Sequence, residues 1–148
     1  MEEIMKTTIQ ELLYTKTIQE ANAFLSSCTD SKTLHIYAFN YNWTDGFLIP
    51  KTIIDNPNCS LSTALLVFYL SDGYRYLIDK NTITNLPEWL DFITYLYNRI
   101  ITSDFISAPF EFIAPLSKIQ LFKLKKVLSD DEQIFITTID GLSLNISI

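Results

Sequence analysis

The sequence predicts an α+β fold: a mainly helical layer with a C-terminal antiparallel hairpin. Three observations carry that expectation. Apolar residues recur at three- and four-residue intervals along most of the chain, from Ile4 to Leu124. The tail switches to alternation, with Leu142, Leu144, Ile146 and Ile148 separated by polar residues. Asp140-Gly141 stands between that run and the β-branched stretch 133–139, and suits a two-residue turn. The 148 residues have the length of one domain. The expected organisation is helical over 1–128, with a hairpin over 132–148 packed on it, because a lone hairpin is marginal in water.

The elements follow in order. Ile4, Ile9, Leu12 and Leu13 form a first helical stripe, and Ile18, Ala21, Leu25 and Cys28 a second. Thr29-Asp30-Ser31 caps a third helix, with Leu34, Tyr37, Ala38 and Tyr41 on one face. Asp45-Gly46 marks a turn, and Phe47 to Asp55 a helix whose first turn accommodates Pro50. Ser60 caps Leu61 to Ser71, apolar on nearly every side and therefore central. Asp72-Gly73 stops it. The segment Asp79 to Thr84 is polar. A helix from Pro87 to about Thr102 carries the stripe Trp89, Phe92, Ile93, Leu96 and Ile100. Residues 104–115 are irregular, with an extended piece near Phe110 to Ile113. The last helix, about Ser117 to Leu128, is expected to turn Ile119, Leu121, Phe122 and Leu124 inward and Lys118, Lys123, Lys125 and Lys126 outward. Asp45-Gly46-Phe47 and Asp72-Gly73-Tyr74 form a faint echo, open to a helical repeat or to chance.

Composition narrows the function. Hydrophobic residues make up 48% and aromatics 14%, enough for a sizeable core. The net charge is −6, which repels nucleic acid and anionic lipid and attracts basic partners. The longest apolar run, Ala64 to Leu70, is too short to span a membrane, and the N-terminus lacks a signal-peptide pattern. A cytoplasmic protein without nucleic-acid or membrane partners is expected. Its two cysteines are expected to be reduced and buried.

The inventory for catalysis is thin. His35 is the single histidine, so a metal site or a Ser-His-Asp triad would depend on it alone. Cys28 and Cys59 with one histidine fall short of a structural metal site, so no metal and no cofactor are expected. Paired carboxylates offer the best catalytic alternative, a hydrolase. Against it, Asp45 and Asp72 suit turns, while Glu88 and Asp91 suit a helix start. Tyr74 flanks an Asp-Gly turn and offers rigid contact area beside charge. Trp43 is expected to pack on the core.

The run from Asn40 to Pro50, then Asn56-Pro57-Asn58-Cys59, Thr63-Ala64-Leu65 and Phe68 to Tyr74, resembles the bacterial DUF4274 family over about residues 32–79. That family implies no catalytic residues. Small acidic bacterial proteins of this kind resemble the immunity proteins of toxin–antitoxin competition loci. By that analogy the expected function is binding, not catalysis: an acidic surface neutralises a cognate toxin with a basic domain. The candidate partner-binding residues are Asp45, Asp55, Asp72, Tyr74, Asp79, Glu88 and Asp91. A helical interaction module or homodimer using apolar surface is the alternative, with the carboxylate hydrolase behind it.

Overall fold

A computed structural model describes residues 2–82 and 84–148. Met1, and Ile83 of the polar Asp79–Thr84 segment, lie outside the described residues. The helices are α1 (Glu2–Tyr14), α2 (Ile18–Ser27), α3 (Ser31–Asn40), α4 (Leu48–Asp55), α5 (Leu61–Leu70), α6 (Gly73–Ile78), α7 (Pro87–Ile101) and α8 (Lys118–Val127). Two 3-10 helices, Trp43–Asp45 and Asp130–Ile136, complete the set among the described residues.

Capping chemistry explains the boundaries. The Thr17 hydroxyl accepts the Glu20 N–H at 3.1 Å while the Glu20 carboxylate accepts the Thr17 N–H at 3.0 Å. Asp30 caps α3 and Ser60 caps α5, each accepting a first-turn N–H. Seven of the ten residues of α5 are buried, so this helix forms the centre. It packs against α3, α4, α6 and α7, while α1 covers α3 and α2 covers α4. The stripe of α7 is buried as its spacing predicts, at Trp89, Phe92, Ile93, Leu96 and Ile100. The Trp89 indole N–H also donates to the Ser71 carbonyl at 2.6 Å, fixing α7 to the end of α5.

The C-terminal hairpin is not formed, and the described residues contain no strand, only isolated bridges. The fold is therefore mainly helical and not α+β. Two local causes account for this. Glu132 accepts both the backbone N–H and the hydroxyl of Ser129, at 3.0 and 3.1 Å, which folds 130–136 into a 3-10 helix. The turn buries Phe135 completely, stacked on Tyr97 at 5.3 Å and against Phe68 at 4.7 Å. Residues 139 and 142 instead form isolated bridges with residues 109–112, and within the alternating tail the Ile146 N–H turns back to the Leu144 carbonyl at 2.8 Å. Ile139 and Phe112 exchange both backbone bonds at 2.9 Å, and the Leu142 N–H donates to the Pro109 carbonyl at 2.8 Å. Gly141 is not a hairpin turn. Its Cα lies so close to Pro109 that a Cβ would sit 2.3 Å from that carbonyl oxygen.

The Asp-Gly echo is not a structural repeat. At the first copy Gly46 takes φ +90°, a region closed to most side chains. At the second, Asp72 itself is left-handed at φ 65°, and Gly73 opens α6 against Phe68.

Helix α8 differs from expectation in what it buries. Only Leu124 is fully inside. Ile119 and Phe122, expected in the core, are 68% and 61% exposed. Packing against the six-residue α6 covers only one side of it, because so short a neighbour offers little surface.

Candidate binding groove

The loop between α3 and α4 builds one wall of a groove. Asn42 accepts the Thr44 N–H at 3.2 Å and the Thr44 hydroxyl at 2.8 Å, nucleating the 3-10 turn Trp43–Asp45. The Tyr41 hydroxyl donates to the Gly46 carbonyl at 2.7 Å and pins the turn from beneath. Burial pushes the Tyr41 phenol upward, with the charge of Asp45 adding to the effect, so the hydroxyl remains a donor. Phe47 then enters the groove and stacks on Phe92 of α7, ring centres 5.0 Å apart. Trp43 meets both rings edge-on, at 6.2 and 6.4 Å. The expectation of core packing for Trp43 describes that aromatic triad, although the residue is half-buried and its indole N–H has no hydrogen-bond partner.

The groove encloses about 600 Å³ between this turn, α4 and α7. Phe47, Leu48 and Phe92 supply its apolar surface, and Asp45, Glu88 and Asp91 are exposed carboxylates along it. None of the three has a cation within ion-pair distance among the described residues. A smaller depression of about 380 Å³ continues past Phe47 to Leu86 and Trp89.

One end is closed by an ion-pair network. Asp55 accepts Arg99 at 2.8 Å, Lys51 at 3.1 Å and the Tyr95 hydroxyl at 2.5 Å. Arg99 also holds the Ile54 carbonyl at 2.6 Å and Asp104 at 2.9 Å. These bonds fix the end of α4 to α7. They also satisfy Asp55, so this carboxylate is an anchor and not an outward contact.

Of the seven residues singled out in the sequence, the structure brings Asp45, Glu88 and Asp91 together. Asp72, Tyr74 and Asp79 do not line the groove. Asp72 is exposed at the α5–α6 turn. Asp79 ends α6 and accepts the Asn81 N–H at 3.0 Å, a local turn bond. Tyr74 is half-buried against the core. Sequence reasoning missed Phe47, Leu48 and Tyr95. Leu48 carried a legible signal, since it falls off the inward stripe Ile49, Ile53 and Ile54.

The other reactive side chains are sequestered. His35 is buried and its Nδ1 pairs with the Thr63 hydroxyl at 2.8 Å. Burial pushes this imidazole down to about 4, with Asn145 pulling weakly the other way. Burial pushes the Cys59 thiol up to about 12. Both cysteines are buried thiols. Among the described residues no group of three or more His, Cys, Asp or Glu side chains is placed to hold a metal ion. No described helix is long and apolar enough to cross a membrane.

The architecture is thus a mainly helical domain with an acidic, apolar-floored groove. Residues 29–101 match the family model DUF4274, a domain of unknown function, and the chain belongs to that family over those residues. The matched segment runs from the cap of α3 to the end of α7 and contains every residue of the groove. No curated protein and no solved structure matches the chain significantly.

Proposed function

We propose that this is a bacterial, cytoplasmic immunity-type protein, acting by binding and not by catalysis, that neutralises a cognate toxin by seating a basic amphipathic segment of it in the groove. The observation that carries this reading is the pairing of two features. Unpaired Asp45, Glu88 and Asp91 carboxylates rim a floor made by the stacked Phe47 and Phe92 rings. The rim attracts positive charge and speeds encounter. The floor contributes apolar burial, which carries much of the affinity at the centre of an interface. A helix with one lysine- or arginine-bearing edge and one apolar stripe satisfies both. The acidic surface first expected around both Asp-Gly turns contracts to the first turn and the start of α7.

Co-expression tests it. The product of the adjoining open reading frame is expressed as the toxin, with or without this chain, and growth is followed. Protection by the wild-type chain, lost on D45K/E88K/D91K at equal expression, is the expected result. Full protection by the triple variant contradicts the reading.

A further inference from the structure

The chain carries its own candidate for a basic, apolar segment. α8 presents Lys118, Lys123 and Lys126 around Ile119 and Phe122, all exposed. On a helical wheel these five share the side opposite the buried Leu124. Lys126 lies over the Phe122 ring at 4.3 Å, so charge and aromatic surface are presented as one unit. None of these lysines is in an ion pair among the described residues. The helix has four lysines and no acid, in a chain of net charge −6.

We infer that α8 of one copy docks into the Asp45–Asp91 groove of another, joining copies head to tail. The match is specific in sign and in shape class. Three carboxylates flank Phe47 and Phe92 on the groove, and three ammonium groups flank Ile119 and Phe122 on the helix. The two surfaces lie on different elements, α8 on one side and α4 with α7 on the other. A contact between unlike patches is heterologous, so it propagates to a ring or an open chain instead of stopping at a symmetric dimer. An anionic lipid surface would suit the lysines but would meet the acidic remainder of the molecule. The inference uses the same groove as the proposed function, and α8 would compete there with a toxin segment.

Sedimentation velocity on the full chain tests it with two variants whose changes are all at exposed positions. K118E/K123E/K126E keeps the groove and reverses α8. D45K/E88K/D91K keeps α8 and reverses the groove. Wild type is expected to grow past the dimer with concentration at low salt and to lose that growth at high salt, where exposed charges are screened. Each variant alone is expected to stay monomeric, and an equimolar mixture to regain the concentration-dependent growth, because the reversed α8 and the reversed groove are again opposite in charge. If K118E/K123E/K126E does not fold, Phe122→Ser takes its place, and its mixture with D45K/E88K/D91K is expected to stop at a one-to-one complex, because its lysines still repel the reversed groove. A wild type that stays monomeric, a mixture that stays monomeric, or a variant that still self-associates overturns the inference. Those results leave the groove's role intact unless D45K/E88K/D91K also retains full protection against the toxin.

Discussion

The Asn40 carboxamide accepts the backbone N–H of Ile148 at 3.0 Å, joining residues 108 apart in the chain. Its amide nitrogen donates to the Ile146 carbonyl at 2.7 Å and to the Ile36 carbonyl at 2.8 Å. One side chain thus offers the tail the donor and acceptor that a neighbouring strand would offer. The Tyr14 hydroxyl adds a bond to the Ile148 carbonyl at 3.2 Å. The last three residues are held by the ends of helices α3 and α1.

Removing that latch has a local signature. Asn40→Ala is expected to cost about 1–2 kcal/mol, the range for a few lost hydrogen bonds. Hydrogen exchange at the Ile148 amide should accelerate toward the rate of an unprotected amide, while amides of α5 keep their protection. Equal acceleration throughout would show that the tail is not separately held.

Glu132 gives the fold an acid-sensitive joint. Its carboxylate is buried and meets Lys80 at 2.7 Å and the Tyr97 hydroxyl at 2.6 Å. Burial raises its pKa, but the bonds from Lys80, Tyr97 and Ser129 outweigh that and hold it down to about 2, below the ordinary 4.5. A depressed folded-state value stabilises the fold above the unfolded value, and that contribution is lost as pH falls from 4.5 toward 2. Glu132→Gln should therefore cost about 2 kcal/mol at neutral pH, and the melting temperatures of variant and wild type should converge on acidification. A gap that stays constant with pH would contradict this role.

The two Asp-Gly pairs make opposite demands. A Cβ on Gly73 would lie 2.5 Å from the Phe68 carbonyl oxygen and nearer still to the Phe68 ring, whereas a Cβ on Gly46 meets nothing within 4 Å. Gly73→Ala should lower stability by about 2–3 kcal/mol through forced displacement of a core phenylalanine. Gly46→Ala should cost about 1–2 kcal/mol through backbone strain alone. Gly46→Asn should recover none of that second loss, because at φ +90° and ψ −160° the backbone lies outside the left-handed helical region that Asn tolerates. Chemical denaturation of the three variants checks the order.

Cys59 should be inert in the folded chain. Its thiol is 1% exposed and held at about 12 by burial, with Arg99 pulling it down only in part. A thiol-exchange reagent is expected to label Cys59 only at the rate of unfolding. Rapid labelling of native protein would show an opening that the packing does not provide.

Much of the helical frame was legible because it rests on local rules. The Trp89 to Ile100 stripe, the Asp30 and Ser60 caps and the central position of α5 all follow from spacing and capping. The tail misled for a physical reason. Alternation at Leu142 to Ile148 predicts a strand, yet only Leu142 of that run enters a bridge and the Ile146 N–H turns back to the Leu144 carbonyl. Asn40 and residues 109–112 supply the partners through tertiary placement. The stretch 133–139 has strand-like composition, yet the Ser129–Glu132 capping bonds and the stacking of Phe135 on Tyr97 outweigh that preference. α8 misled through periodicity. Ile119 and Phe122 have helical spacing, but the short α6 leaves them nothing to pack against. Asp45, Glu88 and Asp91 were legible as candidates by charge. Their convergence was not, because it depends on the Phe47–Phe92 stack bringing α7 beside the first Asp-Gly turn.

The central claim is that the rim charges and the Phe47–Phe92 floor together receive a basic partner. Calorimetric titration of the purified chain with the product of the adjoining open reading frame, at low and high salt, tests this most directly. Tight binding that weakens with salt, is lost on D45K/E88K/D91K and drops at least tenfold on Phe47→Ala is the expected result, tenfold being about 1.4 kcal/mol. Binding of unchanged affinity by the triple variant would contradict it.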